Sequence, residues 1–246
     1  MNDYNRHIVI ISKNDYAWLN LYLFLLIIAY DISRYSSNML KYPLIIKSLL
    51  PNLARIRYKM NKKHVYIIHG YLATPQDHWF PWLRQKLNDD GMEASILPMP
   101  DSLNPDVTTW IQYLKEKIGQ PNENIFFVAH SLGCITLLHY LNTLNENKKI
   151  GGIVLVSGFM DSLSIFPELD EFIKIKFDHD HILSLTNNLS IIAAKDDIIV
   201  PHKQTEELSN LLKTKLLSIN NGGHFLASDG FTELPLVYEE LSKMLN

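Results

Sequence analysis

The chain has 246 residues, of which 47% are hydrophobic and 20% are charged, with a net charge of −3. This length and composition allow one large domain or two small ones with a sizeable core, and they exclude a disordered or fibrous protein. The single cysteine, Cys134, excludes an internal disulfide framework, and no Cys/His cluster has the spacing of a zinc site. We therefore expect an intracellular protein without a structural metal.

The charge is distributed unevenly along the chain. Residues 1–63 hold ten Lys and Arg against three Asp and no Glu, a net charge of +7, so residues 64–246 carry −10. The same first 63 residues contain no Gly, Gln or Thr. We predict an N-terminal extension, residues 1–59, and one domain, residues 60–246. A domain with a charge of −10 lacks the basic surface that nucleic-acid binding requires, so we expect no nucleic-acid partner.

The extension contains the most apolar run of the chain, residues 16–30. This run has fifteen residues and includes Asn20, whereas a membrane-spanning helix needs about 20 apolar residues. Three interpretations stay open: a membrane anchor, a peripheral amphipathic arm, or a segment absent from the natural product because translation begins at Met60. An anchor would leave its basic flank, and with it the domain, on the cytoplasmic side. We expect a cytoplasmic protein, with membrane contact only through residues 16–30 as the alternative.

Apolar runs and amphipathic segments alternate from residue 64 onward. The predicted strands are 64–69, 93–97, 124–129, 152–156, 189–194 and 214–219, and the predicted helices are 79–90, 106–118, 132–145, 202–212 and 234–245. Strands that are apolar on both faces, in β-α-β order, predict an α/β three-layer sandwich with a mostly parallel sheet of about six strands. Residues 158–186 are long for a loop, and they predict a crossover helix or a small cap.

One serine lies at the junction of a predicted strand and a predicted helix. Residues 126–134 read FFVAHSLGC, which is the G-x-S-x-G nucleophile elbow with Ala129 in place of the first glycine. A tight turn needs small residues at 129 and 133, two before and two after the serine. Ser131 is therefore the candidate nucleophile. The alternative is that Ser131 only caps the helix, which is a common role of serine.

An acid and a histidine follow Ser131 in the order that this chemistry requires. A serine hydroxyl needs a histidine to take its proton and a carboxylate to orient that histidine. Asp197 follows the predicted strand 189–194, and His224 follows 214–219. Asp196 is the competing acid, but the D-x-x-V-P spacing from Asp197 favours Asp197. The order Ser131, Asp197, His224 matches that of α/β-hydrolase triads.

An oxyanion hole needs two backbone N–H groups near the nucleophile. Leu132 begins the predicted helix, where amides lack intrahelical partners. The second donor is expected from Tyr71, because Gly70 lets the chain turn after the first strand. Gly70 and His130 are also candidates for the edge of the pocket, although His130 lies beside the turn in a position that suggests packing or loop hydrogen bonds.

Many short blocks of the chain together resemble the YdeN-like serine hydrolases, the bacterial branch of the family that includes retinoblastoma-binding protein 9. These blocks are VYIIHGY, HWFPWL, VAHSLGC, GGIVLVSGF, LDEF, FDH, KDDIIVP, GGHFL and GFTELPLVY. The resemblance covers residues 60–246 and includes the alanine at the elbow. It implies an α/β-hydrolase with Ser131, Asp197 and His224 as its triad and without a cofactor. The HWFPWL block makes Trp79 or Trp82 a further pocket candidate, with core packing as the alternative.

The sequence is compatible with two functions. The first is a carboxylesterase-like serine hydrolase that cleaves a small-molecule ester, or an amide or peptide, through an acyl-serine intermediate. The second is a non-catalytic protein-binding module on a hydrolase fold, because a fold does not determine a function. The presence of all three triad residues favours the first function, since a binding module has no need for them.

Overall fold

A computed structural model describes residues 62–245 of the chain, and six strands in this part form one sheet. The strands are β1 His64–Ile68, β2 Glu93–Leu97, β3 Ile125–His130, β4 Gly152–Val156, β5 Leu189–Ala194 and β6 Leu216–Ile219. Their order across the sheet is β2-β1-β3-β4-β5-β6, and every neighbouring pair is parallel. The carboxyl ends of all six strands therefore lie at one edge, and β3 and β4, in the middle of the sheet, are adjacent.

Helices connect these strands. They are α1 Phe80–Asp89, α2 Val107–Ile118, α3 Leu132–Leu141, α4 Asp170–Lys174, α5 His179–Leu185, α6 His202–Leu211 and α7 Pro235–Leu245. Short 3-10 turns occupy Pro167–Leu169 and Ala227–Asp229. Local signals explain several boundaries. The carboxylate of Asp106 accepts the N–H of Thr109 at 2.7 Å at the start of α2, and Gly119 ends that helix with a φ of +71°.

The sheet is covered on both faces, because alternate side chains of each strand point to opposite faces. On β3, Phe127 and Ala129 belong to one buried cluster, and Phe126 and Val128 belong to the other. The first cluster packs under α2, α3, α4, α5 and α6, and the second packs under α1 and α7. All ten residues of α3 are buried. This arrangement is the three-layer α/β-hydrolase sandwich that the sequence predicts.

The predicted elements agree with the structure to within one or two residues, with one larger difference. The helix predicted over 132–145 ends at Leu141 because the chain turns at Thr143, whose amide donates to the carbonyl of Tyr140 at 3.0 Å. Residues 158–186 hold the 3-10 turn, α4 and α5, so this interval is a set of short helices rather than one crossover helix.

The predicted extension, residues 1–59, with its apolar run at 16–30, lies outside the described residues. Among the helices of residues 62–245, none has the length and apolar character needed to cross a membrane.

Candidate active site

Ser131 occupies the turn between β3 and α3 in a strained conformation. Its φ is +55° and its ψ is −124°, a region that non-glycine residues avoid at a cost of about 1–3 kcal/mol. Its N–H donates to the carbonyl of Val156 at 2.9 Å, which anchors the turn to β4. The side chain makes no capping hydrogen bond to α3. Helix capping therefore does not explain this serine, and strain of this kind is common where a side chain is held for chemistry.

Two glycines allow the chain to pass close to this turn. A Cβ at Gly70 would lie 2.9 Å from the Cβ of Ser131 and 3.1 Å from the carbonyl oxygen of His130. A Cβ at Gly133 would lie 2.6 Å from the carbonyl oxygen of Ile68. The distances of 2.9 and 2.6 Å are shorter than real Cβ contacts, so the end of β1 packs directly on the turn. This explains why position 133 needs glycine, whereas position 129 accommodates the methyl group of a fully buried alanine.

Asp197 and His224 form a buried hydrogen-bonded pair at the carboxyl edge of the sheet. His224 Nδ1 lies 2.8 Å from Asp197 Oδ2, and the two side chains are 5% and 2% exposed. Because a carboxylate accepts hydrogen bonds, Nδ1 carries the proton and a neutral His224 keeps the lone pair on Nε2. This is the tautomer that a general base for a serine hydroxyl requires.

Asp197 is itself held by four donors. Its Oδ1 accepts the N–H groups of Ile199 and Val200, each at 2.9 Å. Its Oδ2 accepts the hydroxyl of Ser157 at 3.0 Å as well as the proton on His224 Nδ1. A carboxylate with this number of donors has one orientation. Asp197, and not Asp196, is the acid that faces the histidine.

The neighbouring Asp196 contacts the loop that carries His224. Its Oδ1 accepts the N–H groups of Gly222 and Gly223, at 2.8 and 3.0 Å. These two hydrogen bonds lower the pKa of the Asp196 carboxyl. Gly223 has a φ of +51°, and a Cβ there would lie 2.6 Å from Asp229 Cγ. Gly223 is therefore required by its positive φ and by the close approach of the Asp229 carboxylate, whereas at Gly222 a Cβ would lie 2.7 Å from the Cβ of Ala194.

Asp229 fixes the same loop from its other side. Its Oδ2 accepts the N–H of His224 at 2.9 Å and the N–H of Leu226 at 3.1 Å. His78 adds a further contact, since its Nδ1 accepts the N–H of Ala227 at 3.0 Å. The backbone around His224 is thus held by side chains from three separate segments.

His130, which precedes Ser131, also binds the His224 loop. Its Nε2 lies 2.8 Å from the carbonyl oxygen of His224, so Nε2 is the protonated nitrogen, and the two ring centroids are 4.8 Å apart. Its Nδ1 is buried without a partner in the described part of the chain. Burial, with the nearby His224, holds the pKa of His130 well below its usual range. His130 is therefore a neutral residue that joins the turn to the histidine loop.

The Leu132 amide directly follows Ser131, and the Tyr71 amide directly follows Gly70, which packs on the same turn. The N–H groups of Leu132 and Tyr71 donate to no backbone acceptor within residues 62–245. Leu132 begins α3, where the helix dipole also favours negative charge. A Cβ at Gly70 would lie 3.3 Å from the Leu132 nitrogen, so the chain segment that carries Tyr71 packs beside that amide.

Tyr71 also contacts the segment between β4 and β5. Its hydroxyl donates to Glu168 Oε1 at 3.0 Å, and its ring lies edge-on to Phe166 with centroids 5.3 Å apart. The hydrogen bond to Glu168 raises the pKa of the Tyr71 hydroxyl. Residues 158–186 therefore reach the loop that carries the second amide, in agreement with the small cap that the sequence allows.

Trp79 is fully buried in the core cluster under α1 and α7, and its ring packs against His130 at a centroid distance of 6.0 Å. Trp79 therefore contacts His130 but not the solvent-accessible part of the site, and its position is explained by core packing. Trp82 is half-buried at the border of the same cluster.

Sequence reasoning missed Ser157, the function of Asp196, and Asp229. Ser157 follows β4 in an ordinary-looking VSG sequence, and Asp229 lies five residues beyond the histidine. The sequence offered one signal for Ser157: it is a polar residue directly after β4, the strand that pairs with β3. Within residues 62–245, no group of three or more His, Cys, Asp or Glu side chains could hold a metal ion.

An open parallel sheet, a strained serine between strand and helix, and a buried Asp–His pair at the same edge define the class of α/β-hydrolases. Comparison with known families is more specific. The family described as serine hydrolase matches residues 65–243. The chain belongs to the serine hydrolase family.

Relatives and solved structures agree with this assignment. The chain is 45% identical to YdeN of Bacillus subtilis (strain 168) over 180 residues, which are 73% of this chain and 95% of YdeN. It is 24% identical to serine hydrolase RBBP9 of Rattus norvegicus, over 66% of this chain and 86% of that protein. The crystal structure of the B. subtilis ydeN gene product superposes with a TM-score of 0.73 and 43% identity, over 75% of this chain and 99% of that one.

Proposed function

We propose that this chain hydrolyses carboxylic esters, and related amides or peptides, through an acyl-serine intermediate on Ser131. The observation that supports the proposal most directly is the bond between His224 Nδ1 and Asp197 Oδ2, 2.8 Å long and almost fully buried. It leaves Nε2 as the free base, near a turn whose serine has no other evident role. Membership of the serine hydrolase family agrees with this chemistry.

In the first half of the proposed reaction, His224 Nε2 takes the proton of the Ser131 hydroxyl as the oxygen attacks the ester carbonyl. The amides of Tyr71 and Leu132 stabilise the oxyanion that forms, a contribution of about 3 kcal/mol per donor in other serine hydrolases. His224 then returns the proton to the leaving alcohol as the carbon–oxygen bond breaks. In the second half, water attacks the acyl-serine with His224 again as base, and the acid is released.

Exposed apolar side chains on the loops around the site support a substrate with an apolar acyl group. Leu72 is 52% exposed, Ile165 53% and Ile198 89%. They lie in the segments that follow β1, β4 and β5, and the carboxyl ends of these strands are at the same edge of the sheet as Ser131. Large apolar side chains exposed at such a site contribute to binding when a ligand covers them. We expect turnover to increase as the acyl chain lengthens from acetyl to hexanoyl.

The test uses the purified 246-residue chain and a series of p-nitrophenyl esters from acetate to hexanoate, with amino-acid anilides as amide substrates. Turnover that disappears in Ser131→Ala and in His224→Ala supports the proposal. Retained turnover in a folded His224→Ala variant would overturn the proposed base. No turnover of any substrate by the folded wild-type chain would favour a non-catalytic binding function.

We also propose that residues 1–59 form an extension separate from the hydrolase domain, and that the domain acts in the cytoplasm on small-molecule substrates. The opposite charges of residues 1–63 and 64–246 support this division. Cell fractionation combined with mass spectrometry of the native N-terminus tests both points. Native peptides from residues 1–50 would contradict a translation start at Met60, and recovery in the membrane fraction would favour an anchor.

A further inference from the structure

We propose that Ser157 is a positioning residue for the Asp197–His224 pair, acting through its hydroxyl on Asp197; this inference rests on the proposed function. The Ser157 hydroxyl donates to Asp197 Oδ2 at 3.0 Å, and the same oxygen accepts the Nδ1 proton of His224 at 2.8 Å. Ser157 is completely buried. The hydroxyl thus has no access to water, and Asp197 is its hydrogen-bond acceptor.

The backbone of Ser157 supports a role for the hydroxyl. Its φ is +48°, in the left-handed region that glycine adopts easily and other residues avoid. A serine at the strained position therefore points to a requirement for its side chain, since observed strain of this kind is evidence for function.

The surroundings of Ser157 hold the hydroxyl in place. Its N–H donates to the carbonyl of Ile192 at 2.9 Å, which continues the pairing between β4 and β5. The following carbonyl, that of Gly158, accepts the hydroxyl of Thr205 at 2.8 Å. At the end of β4, the carbonyl of Val156 also accepts the N–H of Ser131. One strand end therefore fixes both the turn of the proposed nucleophile and the donor to the proposed acid.

The effect on His224 follows from the shared oxygen. With Ser157 present, Asp197 Oδ2 divides its negative charge between two donors, and the carboxylate has a fixed orientation. Without the hydroxyl, more of that charge faces the imidazole and strengthens its bond to Nδ1, so the acid limb of the pH profile of labelling at Ser131 should move to higher pH. The orientation of His224 also becomes less restricted, which slows attack by Ser131 without a change in substrate contacts.

Other titratable side chains near His224 are the same in the wild type and in Ser157 variants. His130 faces the His224 ring, and its burial keeps it neutral. His78 lies beyond His130, with ring centroids 6.0 Å apart, and burial lowers its pKa too. Asp229 binds the His224 amide rather than the ring. A difference between the wild type and these variants therefore reports on Ser157.

The experiment compares Ser157→Ala with Ser157→Gly in the full chain. Both lack the hydroxyl, but glycine relieves the backbone strain that alanine retains, so the two differ in thermal stability. The readout is the pH profile of fluorophosphonate labelling at Ser131. We expect both variants to move the acid limb upward by about 0.5 to 1 pH unit and to lower kcat for an ester roughly 5-fold at unchanged KM.

A second readout does not depend on turnover. The Nδ1 proton of His224 is expected at low field in the proton NMR spectrum, and its loss in His224→Gln identifies it. We expect this resonance to shift by the same amount in Ser157→Ala and Ser157→Gly. An unchanged resonance and acid limb, or changes that follow thermal stability instead of the hydroxyl, would overturn the role of Ser157. If the resonance shifts in the Ser157 variants but the folded wild-type chain does not react with the fluorophosphonate probe, only the hydrolase proposal is overturned.

Discussion

Asp196 and Asp197 are adjacent in the chain and hold different parts of the same loop. Asp197 Oδ2 binds the imidazole of His224 at 2.8 Å, whereas Asp196 Oδ1 binds the backbone amides of Gly222 and Gly223. One carboxylate therefore contacts the proposed base, and the other contacts the backbone that carries it. This difference makes the two residues a matched pair for mutagenesis.

Asp197→Asn should abolish most activity, while Asp196→Asn should have a small effect. An amide at 197 can donate to His224 Nδ1 and so favours the wrong tautomer, which lowers kcat on the order of 10⁴-fold in another serine hydrolase. An amide at 196 keeps an oxygen that still accepts the glycine N–H groups, so we expect a loss of about 3-fold or less. Steady-state kinetics with a p-nitrophenyl ester measure both. Equal losses in the two variants would contradict the assignment of the acid.

The contribution of Asp196 to stability should depend on pH. Its pKa is lower in the folded chain than in the unfolded chain because two backbone amides stabilise the charged form. A depressed folded pKa gives stability that is present above the unfolded pKa and is lost as the pH falls through the folded pKa. The difference in Tm between the wild type and Asp196→Asn should therefore be constant near pH 7 and should shrink below about pH 4. A difference that grows on acidification would contradict this.

Gly70→Ala should lower catalytic activity more than it lowers the stability of the domain. The new methyl carbon would lie 2.9 Å from Ser131 Cβ and 3.3 Å from the Leu132 nitrogen, so the turn or the Tyr71 loop must move. We expect at least about a 10-fold loss of kcat, since a displaced oxyanion donor alone costs more than this. Gly91→Ala is a control for general destabilisation, because the φ of +81° strains an alanine there while its Cβ would meet nothing within 4 Å. Full activity of Gly70→Ala would refute the close packing of this loop on the nucleophile.

Cys134 should be unreactive in the folded chain. Its thiol is buried, donates to the carbonyls of Ala129 and Val156, and has a pKa raised to about 12 by burial. Because the thiolate is the reactive form, a thiol reagent such as Ellman's reagent should find no reactive cysteine at pH 8 and one after denaturation. Rapid stoichiometric reaction of the native chain would show that the thiol is accessible.

Much of the fold could be predicted because its strands are continuous apolar runs. For β4, residues 152–156, the predicted and observed bounds are identical, since a strand buried on both faces leaves a clear pattern. The end of α3 was predicted too late, because the apolar Leu144 continues the helical pattern past the point where the chain turns. The residues before 62 lie outside the described part, so the anchor, the arm and the late start stay predictions.

The motif residues of the candidate site could be proposed from the sequence, whereas the side chains that hydrogen-bond to them could not. Ser131, Asp197 and His224 each follow a strand that ends at the same edge of the sheet, so topology alone brings all three to that edge. Ser157 and Asp229 act through hydrogen bonds whose geometry depends on loop conformation, and neither lies in a recognisable motif. Contacts of this kind depend on tertiary structure, which a local sequence pattern does not encode.

The proposed function requires that Ser131 is a nucleophile activated by His224. The most direct measurement is labelling of the folded 246-residue chain with a fluorophosphonate probe, followed by mass spectrometry of the modified peptide. We expect one label on Ser131, its complete loss in Ser131→Ala, and a strong decrease in His224→Ala. Absence of labelling in the folded wild-type chain, or a label on any other residue, would contradict a nucleophilic role of Ser131.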